Sequence, residues 1–397
     1  MSSAPSPATP ASRVWPLYAA GFVTAFGAHG IAASLGGYTR SEHASLLALG
    51  ILLAVYDGAE VVLKPVFGSL TDRIGPRPVL LGGLAAFALA SAAFVLAGDP
   101  GAVGLARLGQ GAAAAAFSPA AGAMVARLAP SARHGRAFGS YGAWKGLGYA
   151  LGPLLGGVLI TLGGFPLLFA TLAVLALAVA AWAMLAVPTV APLPRARQTV
   201  LDLARRLTDP GFLRPTATLA AATAALAVGV GFLPMLGASA GLGPLATGAA
   251  VSVLAAAAAL VQPRAGRARD AGRLREDIGM AGGLGLAAAG VALAAALPGL
   301  VGILIAALAI GAGTGVVTPL GFAALASSTP PERLGQTMGN AEVGRELGDA
   351  GGPLLVGGIA VATTVTAGLL SLAVLLVATA ATVGRPLGAR SRRVTRK

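Results

Sequence analysis

The stretch GYALGPLLGG, residues 148–157, returns later in the chain as GDAGGPLLVGG, residues 348–358, without a gap when 200 is added to each number. The same register continues upstream in three further pairs, which are Gly135 and Gly335, Gly139 and Gly339, and Lys145 and Arg345. A second repeat, shifted by 198, matches Pro65, Gly68 and Asp72 to Pro263, Gly266 and Asp270. Self-similarity over such a distance predicts two copies of one structural unit.

The composition is that of a membrane protein. Of the 397 residues, 56% are hydrophobic and 11% are charged, and the mean hydropathy is +0.81. A membrane-crossing helix needs about 20 mostly apolar residues. Twelve windows meet this requirement: 14–34, 45–66, 78–97, 102–126, 137–162, 165–187, 216–236, 243–262, 278–297, 300–326, 336–360 and 362–384. Together with the repeat, they predict an all-α membrane protein of twelve transmembrane helices in two pseudo-symmetric six-helix bundles.

Polar stretches divide the chain into five expected parts. These are a cytoplasmic tail 1–13, an N-terminal six-helix bundle 14–187, a cytoplasmic linker 188–215, a C-terminal six-helix bundle 216–384 and a basic cytoplasmic tail 385–397. We do not interpret the first span as a cleaved signal peptide, because its apolar run is too long and no basic segment beyond Arg13 precedes it.

The basic residues indicate how the chain lies in the membrane. If the amino-terminal tail and the loops after even-numbered spans share one side, that side holds 23 of the 28 Lys and Arg residues, and the opposite side holds Arg40 alone. The other four, Lys64, Arg107, Lys145 and Arg345, lie within spans. The positive-inside rule therefore predicts that both termini are cytoplasmic. The net charge of +14 is then an orientation signal and not a nucleic-acid-binding surface.

The sequence contains no residue pattern that indicates a metal site, a cofactor site or a nucleotide-binding site. The chain has no cysteine, and its three histidines lie in separate segments. The phosphate-binding pattern G-x-x-x-x-G-K-[ST] does not occur. We therefore expect no cofactor, no metal and no enzymatic activity. The expected partners are a small-molecule substrate, protons and the lipid bilayer, with the chain acting as a monomer.

The segment GSLTDRIGPR, residues 68–77, follows the second span. It resembles the signature G-x-L-(A/T)-D-R-x-G-(R/K)-(R/K) of the major facilitator superfamily, and more narrowly that of its twelve-span drug/proton antiporters. Pro76 replaces one basic residue of that pattern. We expect Asp72 to cap or face a helix amino terminus across the interface between the bundles. The resemblance implies that five residues steady one conformer and control the change to another: Gly68, Asp72, Arg73, Gly75 and Arg77.

Two further segments are similar to elements of the same family. In span four, Arg107 and Gln110 belong to a segment that resembles R-x-x-Q-G, although an arginine there could instead extend to the membrane surface. In span five, a second segment resembles the antiporter element G-x-x-x-G-P-x-x-G-G, in which small residues let helices approach and the proline bends the span. Helix packing alone also explains this element, whose residues are Gly148, Gly152, Pro153, Gly156 and Gly157.

Two spans carry charged residues on one helical face. Span two has Asp57, Glu60 and Lys64 at i, i+3 and i+7, and span eleven has four ionisable residues at i, i+3, i+4 and i+7. A carboxylate at mid-membrane must take up a proton or find a cationic partner, and a static salt bridge is the alternative to a proton carrier. We predict proton coupling by the acids Asp57, Glu60, Glu342, Glu346 and Asp349. We expect the substrate cavity or the charge partners to include Lys64, Arg107, Lys145, Arg345 and His29.

These residues and the resemblance predict proton-coupled efflux, by antiport, of a small molecule or drug through alternating access. The excess of acids in span eleven favours a cationic or polar substrate. A proton-coupled uptake symporter of the same fold is the alternative, and the two differ in whether cells lacking the protein accumulate the compound. A scaffold or sensor would need soluble domains or long loops, which the sequence lacks.

Reporter fusions test the predicted orientation. A reporter active only in the cytoplasm should be active when fused at Lys397 or within 188–215, because the basic residues hold these segments on the cytoplasmic side. A fusion at Asp99, in the predicted loop between spans three and four, should give the opposite result and serves as the control. A periplasmic carboxyl terminus would contradict both the span count and the orientation.

Overall fold

The computed structural model describes residues 13–41, 46–97, 99–194, 200–297 and 299–383. In these ranges the chain is helical: α1 (Trp15–Ser41), α2 (Leu46–Ile74), α3 (Pro76–Leu96), α4 (Pro100–Leu128), α5 (His134–Ala186), α6 (Val200–Leu207), α7 (Pro210–Ser239), α8 (Pro244–Asp270), α9 (Glu276–Ala296), α10 (Leu300–Ser328), α11 (Leu334–Ala362) and α12 (Val365–Val383). Each predicted window falls on one of these helices. Most of the two predicted tails lies outside the described residues.

The double-length helix α5 contains both the fifth and the sixth predicted span. Its helical dihedral angles break at Gly163 and Gly164, where Gly164 has φ 70° and ψ −173°. A side chain is strained at positive φ, so glycine permits the reversal that a longer loop makes elsewhere. Pro166 follows and begins the second arm, which ends at Ala186. The described helices therefore supply twelve segments long enough to span a membrane.

By length and apolar composition alone, seven stretches of the described chain qualify as membrane spans, one of them the double-length stretch Ser131–Ala186. Two helices outside this set, α2 and α11, carry the charged stripes. Their polar residues need partners inside the protein, because lipid offers none.

The helices pack in two corresponding sets. In the first set α1 packs on α5, and both α2 and α3 pack on α4; in the second set α7 packs on α11, and both α8 and α9 pack on α10. Between the sets α2 packs on α11 and α5 packs on α8. This arrangement confirms the prediction of an all-α fold with two pseudo-symmetric units. The exact boundaries of the bundles, linker and tails stay predictions.

The glycine- and proline-containing segment of α5 lies against α1. A Cβ at Gly148 would collide with the carbonyl oxygen of Phe22, and Cβ atoms at Gly152 and Gly156 would meet the backbone of Gly30 at 3.0 and 3.2 Å. In α11, a Cβ at Gly348 would likewise collide with the backbone of Ala220. The two helix pairs thus approach closely through small residues. Gly157 is exposed, and a Cβ there would meet nothing within 4 Å.

This difference within one segment predicts opposite effects of the same substitution. Gly148→Ala should lower the free energy of unfolding by about 1–3 kcal/mol, because the added methyl group forces α1 and α5 apart. Gly157→Ala, the matched control, should be neutral or stabilising by up to about 1 kcal/mol, because alanine favours the helix. The measurement is the thermal unfolding midpoint of each purified variant in detergent. Equal midpoints for the two variants would contradict the close packing of α1 and α5.

Candidate functional site

Two aspartates join the helix sets at the end of the molecule where the arginines concentrate, which we call the Arg-rich end. The carboxylate of Asp72, near the end of α2, accepts hydrogen bonds from the N–H groups of Gly335 and Gln336 at 2.7 and 2.8 Å. Asp270, at the end of α8, accepts them from Gly135 and Arg136 at 2.9 and 2.7 Å. Each aspartate thus caps the amino terminus of a helix in the opposite set, as the sequence predicted for Asp72.

The other residues of the segment 68–77 shape the connection between α2 and α3. Gly68 lies so close to α11 that a Cβ would meet the carbonyl oxygen of Gly335 at 2.5 Å. Gly75 has φ 94°, which a tight turn requires, and Pro76 then occupies the first turn of α3. Proline is favoured at that position, which explains its departure from the family pattern. Arg77 donates to Thr189 Oγ1 at 2.9 Å and to the carbonyl oxygen of Met184, whereas Arg73 is exposed.

Six charged side chains meet between α2, α5 and α11, and we call them the central cluster: Glu60, Lys64, Lys145, Glu342, Arg345 and Glu346. Lys64 is only 1% exposed, and its Nζ lies 2.6 Å from Glu346, 3.3 Å from Glu60 and 3.8 Å from Glu342. The Glu342 carboxylate also pairs with Lys145 Nζ at 3.5 Å and with Arg345 Nη1 at 3.3 Å. Three cations therefore balance three carboxylates across the interface between the helix sets.

Asp57 and Asp349 differ from the three paired glutamates. In the described part of the chain, neither makes an ion pair within 4.0 Å. For Asp57 the sequence suggested Lys64, Arg107 or Lys145 as partner, but none of the three lies within that distance. Lys64 instead points across to α11, because Glu346 and Glu342 there face it. Oxygen atoms of Asp57, Glu60 and Glu346 lie within 4.8 Å of one another.

Arg107 is held inside the protein. It is 2% exposed, its guanidinium group lies 4.3 Å from the centroid of the Tyr56 ring, and its Nη1 donates to Gln110 Oε1 at 3.4 Å. Gln110 in turn donates to Ser91 at 3.0 Å. The alternative of an arginine that extends to the membrane surface is therefore wrong. Arg107 is a fixed positive charge that stacks on an aromatic ring.

Two cavities adjoin the central cluster. The larger, the central cavity, has a volume of about 400 Å³ and lies between α1, α5, α7, α8, α10 and α11. The smaller, the acidic cavity, has a volume of about 230 Å³ and is lined by Asp57, Glu60, Arg107 and Glu346. Four residues line both: His29, Lys145, Tyr149 and Asp349. These four residues form a shared wall, so their ionisable groups border both the central cavity and the acidic cavity.

The His29 ring stacks on the Tyr149 ring with a centroid separation of 3.4 Å, and its Nδ1 lies 3.0 Å from the carbonyl oxygen of Ala25. In the tautomer that donates from Nδ1, Nε2 is left as an acceptor. His29 therefore lines both cavities as a fixed ring. Most of the remaining wall of the central cavity is apolar, with Pro153 among its residues.

Sequence reasoning missed several residues of the site, namely Tyr56, Tyr149, Thr223, Gln262 and Phe322. Arg345 Nε donates to Thr223 at 3.4 Å, and its guanidinium group lies 5.7 Å from the Phe322 centroid. Two of these residues carried a usable signal. Gln262 matches Lys64 under the shift of 198, and Tyr149 matches Asp349 under the shift of 200.

The central cluster predicts that the free energy of unfolding depends strongly on the balance of charge among its six side chains. Lys64→Met should lower the free energy of unfolding by about 3–5 kcal/mol, because it leaves buried carboxylates without their shared cation. Adding Glu346→Gln to that variant should restore part of the loss, because one unbalanced charge is removed.

The control for this cycle is the exposed pair of Arg275 and Asp277, whose side chains are 68% and 30% exposed. Arg275→Met should cost less than about 1 kcal/mol, because solvent screens that pair. The measurement is thermal unfolding of the purified proteins. A double variant no more stable than Lys64→Met would contradict the pairing of Lys64 with Glu346.

Comparison with known proteins agrees with this architecture. The family model described as the Major Facilitator Superfamily matches residues 17–353. The puromycin resistance protein pur8 of Streptomyces alboniger is 44% identical over 93 residues, which cover 23% of this chain and 18% of that protein. The class H tetracycline resistance protein of Pasteurella multocida is 31% identical over 133 residues, or 33% of each chain. The chain thus spans a third or less of these relatives in the matched segments.

Among solved structures, the human organic anion transporter MFSD10 (TETRAN) superposes with a TM-score of 0.78 at 18% identity, covering 94% of this chain and 99% of that one. At this identity the likeness shows the fold alone, and it confirms the fold class predicted from the sequence. The family comprises transporters, so the expectation that the protein is not an enzyme is confirmed. The central cavity, the two aspartate caps and the family match over most of the sequence agree: this multi-pass membrane protein belongs to the major facilitator superfamily.

Proposed function

We propose that the protein exports a small, largely apolar molecule in exchange for protons, by alternating access of the central cavity, whose wall is mostly apolar. The excess of acids in span eleven no longer favours a cationic substrate, because Glu342 and Glu346 are paired with the cations of the central cluster. The observation that carries this proposal is the central cluster, because it joins α2 to α11 across the interface that must separate when access changes. The relatives named for puromycin resistance and tetracycline resistance support export over uptake.

Within the central cluster, Glu346 depends most directly on this interface. Its ion pair within 4.0 Å among the described residues is with Lys64, which lies on the opposite helix set. Lys64 has Glu60 four residues earlier on its own helix, and Glu342 has Lys145 and Arg345. If α2 and α11 separate, Lys64 and Glu342 each retain a partner and Glu346 retains none. Proton binding at Glu346 therefore competes with the contact between α2 and α11.

This competition supplies the link that antiport needs. A proton drives a conformational change only if its binding free energy differs between the two conformers. Glu346 meets that condition through its change of partner, and about 1.4 kcal/mol of bias follows from each tenfold difference in proton affinity. Asp57 and Asp349, which line the acidic cavity beside Glu346, provide the route by which protons reach it. The remaining sequence candidates, Glu60 and Glu342, then hold cations in place.

We further propose that the Arg-rich end faces the cytoplasm and that the protein resides in the cytoplasmic membrane of a bacterium, with both termini inside. The positive-inside rule and the bacterial relatives support this orientation. In this orientation the aspartate caps join the two helix sets on the cytoplasmic side.

Transport by reconstituted vesicles tests the coupling. With puromycin and tetracycline as probes, Glu346→Gln should lose accumulation driven by a pH gradient but retain downhill exchange, because position 346 can no longer change its charge. Asp277→Asn is the control, since that acid lies in the first turn of α9 at the Arg-rich end. Both fluxes are measured with an imposed gradient and without one.

The outcomes separate the alternatives. If Glu346→Gln kept wild-type accumulation and Asp57→Asn lost it, the coupled proton would be assigned to Asp57 instead. Gradient-driven movement of the probes in the same direction as the protons would identify the uptake symporter. No gradient dependence in the wild-type protein would contradict proton coupling itself.

A further inference from the structure

The contact between α2 and α11 is repeated between α8 and α5 with the same backbone geometry. A Cβ at Gly339 would approach the carbonyl oxygen of Lys64 to 2.5 Å, and a Cβ at Gly139 would approach that of Gln262 to 2.5 Å. The aspartate caps repeat in the same way. Gln262 therefore occupies the position of Lys64 in the second copy of the interface.

The side chains around these two positions differ sharply. Lys64 faces Glu342 and Glu346. Under the shift of 200, the residues that correspond to these glutamates in α5 are Gly142 and Gly146. Gln262 lies directly over them, because a Cβ at Gly142 would collide with Gln262 Oε1 and one at Gly146 would lie 3.6 Å from Nε2. Where the first interface holds ion pairs, the second holds the carboxamide of Gln262 over two glycines.

This carboxamide borders the central cavity, which is lined by Gln262, Gly142 and Gly146 together. Gln262 is 5% exposed, and its Oε1 has no hydrogen-bond partner in the part of the chain that the structure describes. Tyr141, which precedes Gly142 in α5, lines the same cavity, and its buried hydroxyl group likewise has no hydrogen-bond partner among the described residues. Leaving a buried polar group unpaired is unfavourable, so two such groups on residues that line one cavity need an explanation.

The rest of the central cavity limits what could pair with these groups. The walls contributed by α7, α8 and α10 are mostly apolar where they face the space: Ala222, Leu226, Val230, Val251, Leu254 and Phe322. The hydroxyl groups of Thr314 and Thr318, which also line it, donate to backbone carbonyl oxygens. On α5 and α11, Lys145, Glu342 and Arg345 are engaged with one another, and Asp349 lies on the wall shared with the acidic cavity. A ligand at Gln262 therefore meets mainly an amide, a phenol and apolar side chains.

We propose that Gln262, together with Tyr141, forms a hydrogen-bonding subsite for the transported molecule. The substrate class is a largely apolar compound with an O–H or N–H group that enters the central cavity beside Gln262. Rotation of the carboxamide lets Gln262 offer its oxygen or its NH₂ group to that substrate. This inference rests on the proposed function only in taking the central cavity as the substrate site. Specificity follows because a buried amide discriminates strongly against a ligand that leaves it unpaired.

Equilibrium binding to the purified protein, with no pH gradient, tests the subsite. The probes are puromycin and tetracycline, which carry O–H and N–H groups, and tetraphenylphosphonium, which is apolar and has neither. Gln262→Leu should weaken binding of the first two by roughly three- to tenfold, the range expected for one neutral hydrogen bond, and leave tetraphenylphosphonium unchanged. Gln336→Leu is the matched control, because that side chain lines a separate cavity at the Arg-rich end, and it should alter none of the three.

Three results would overturn the subsite. These are equal weakening of all three probes by Gln262→Leu, no weakening of any probe, or wild-type binding of puromycin and tetracycline no tighter than that of tetraphenylphosphonium. Failure of the proposed function would give a different result. The protein would still bind the probes selectively, but a pH gradient would not drive their transport.

Thiol labelling provides a second measurement that does not require Gln262→Leu to fold. The chain has no cysteine, so a Gln262→Cys variant reports on that position alone. Puromycin should slow its reaction with a water-soluble methanethiosulfonate reagent at least several-fold, and should not slow the reaction of Ser239→Cys at the exposed end of α7. A cysteine at 262 that never reacts, or one that puromycin does not protect, would contradict the proposal.

Discussion

The structure depends on the cost of burying Lys64. A lysine that is 1% exposed in a helix of a membrane protein is tolerated only if carboxylates compensate its charge. The helix that carries Lys64 supplies one such carboxylate, Glu60, and the other two come from α11. The same electrostatic requirement therefore stabilises the helix α2 and fixes its contact with the opposite helix set. In the proposed transport cycle, one group of charges therefore acts on both the stability and the conformational state.

The sequence predicted the parts of this arrangement that follow from spacing along one helix or from the repeat. Hydropathy located the twelve long helical segments but not the short helix α6, which lies in the predicted linker 188–215. The shifts of 198 and 200 predicted which helices correspond. The prediction for Asp72 was confirmed because the free N–H groups and the dipole at a helix amino terminus favour a carboxylate. The break at Gly163 and Gly164 was also readable, as the boundary between two adjoining apolar windows.

Partners across the interface could not be predicted in the same way. The stripe of Asp57, Glu60 and Lys64 fixes which side chains share a face, but the pairing of Lys64 with Glu346 requires the relative register of α2 and α11. Asp57 was therefore expected to have a cation that the structure assigns elsewhere. Gln262 was overlooked for a different reason. A single neutral amide in an apolar helix gives no signal until its repeat position is compared with Lys64.

The aspartate caps impose an asymmetric genetic constraint. Asp72 and Asp270 accept hydrogen bonds from main-chain N–H groups of the opposing helices. A salt bridge can be restored by swapping its two residues, whereas exchanging side chains does not restore a hydrogen bond to the main chain. The first residues of α11 and α5 are constrained by size instead, because Gly335 lies against the backbone of Gly68 and Gly135 against that of Gly266. A second mutation that compensates for a lost cap is therefore expected outside these helix termini. It would act by destabilising the conformer in which α2 separates from α11 and α8 from α5.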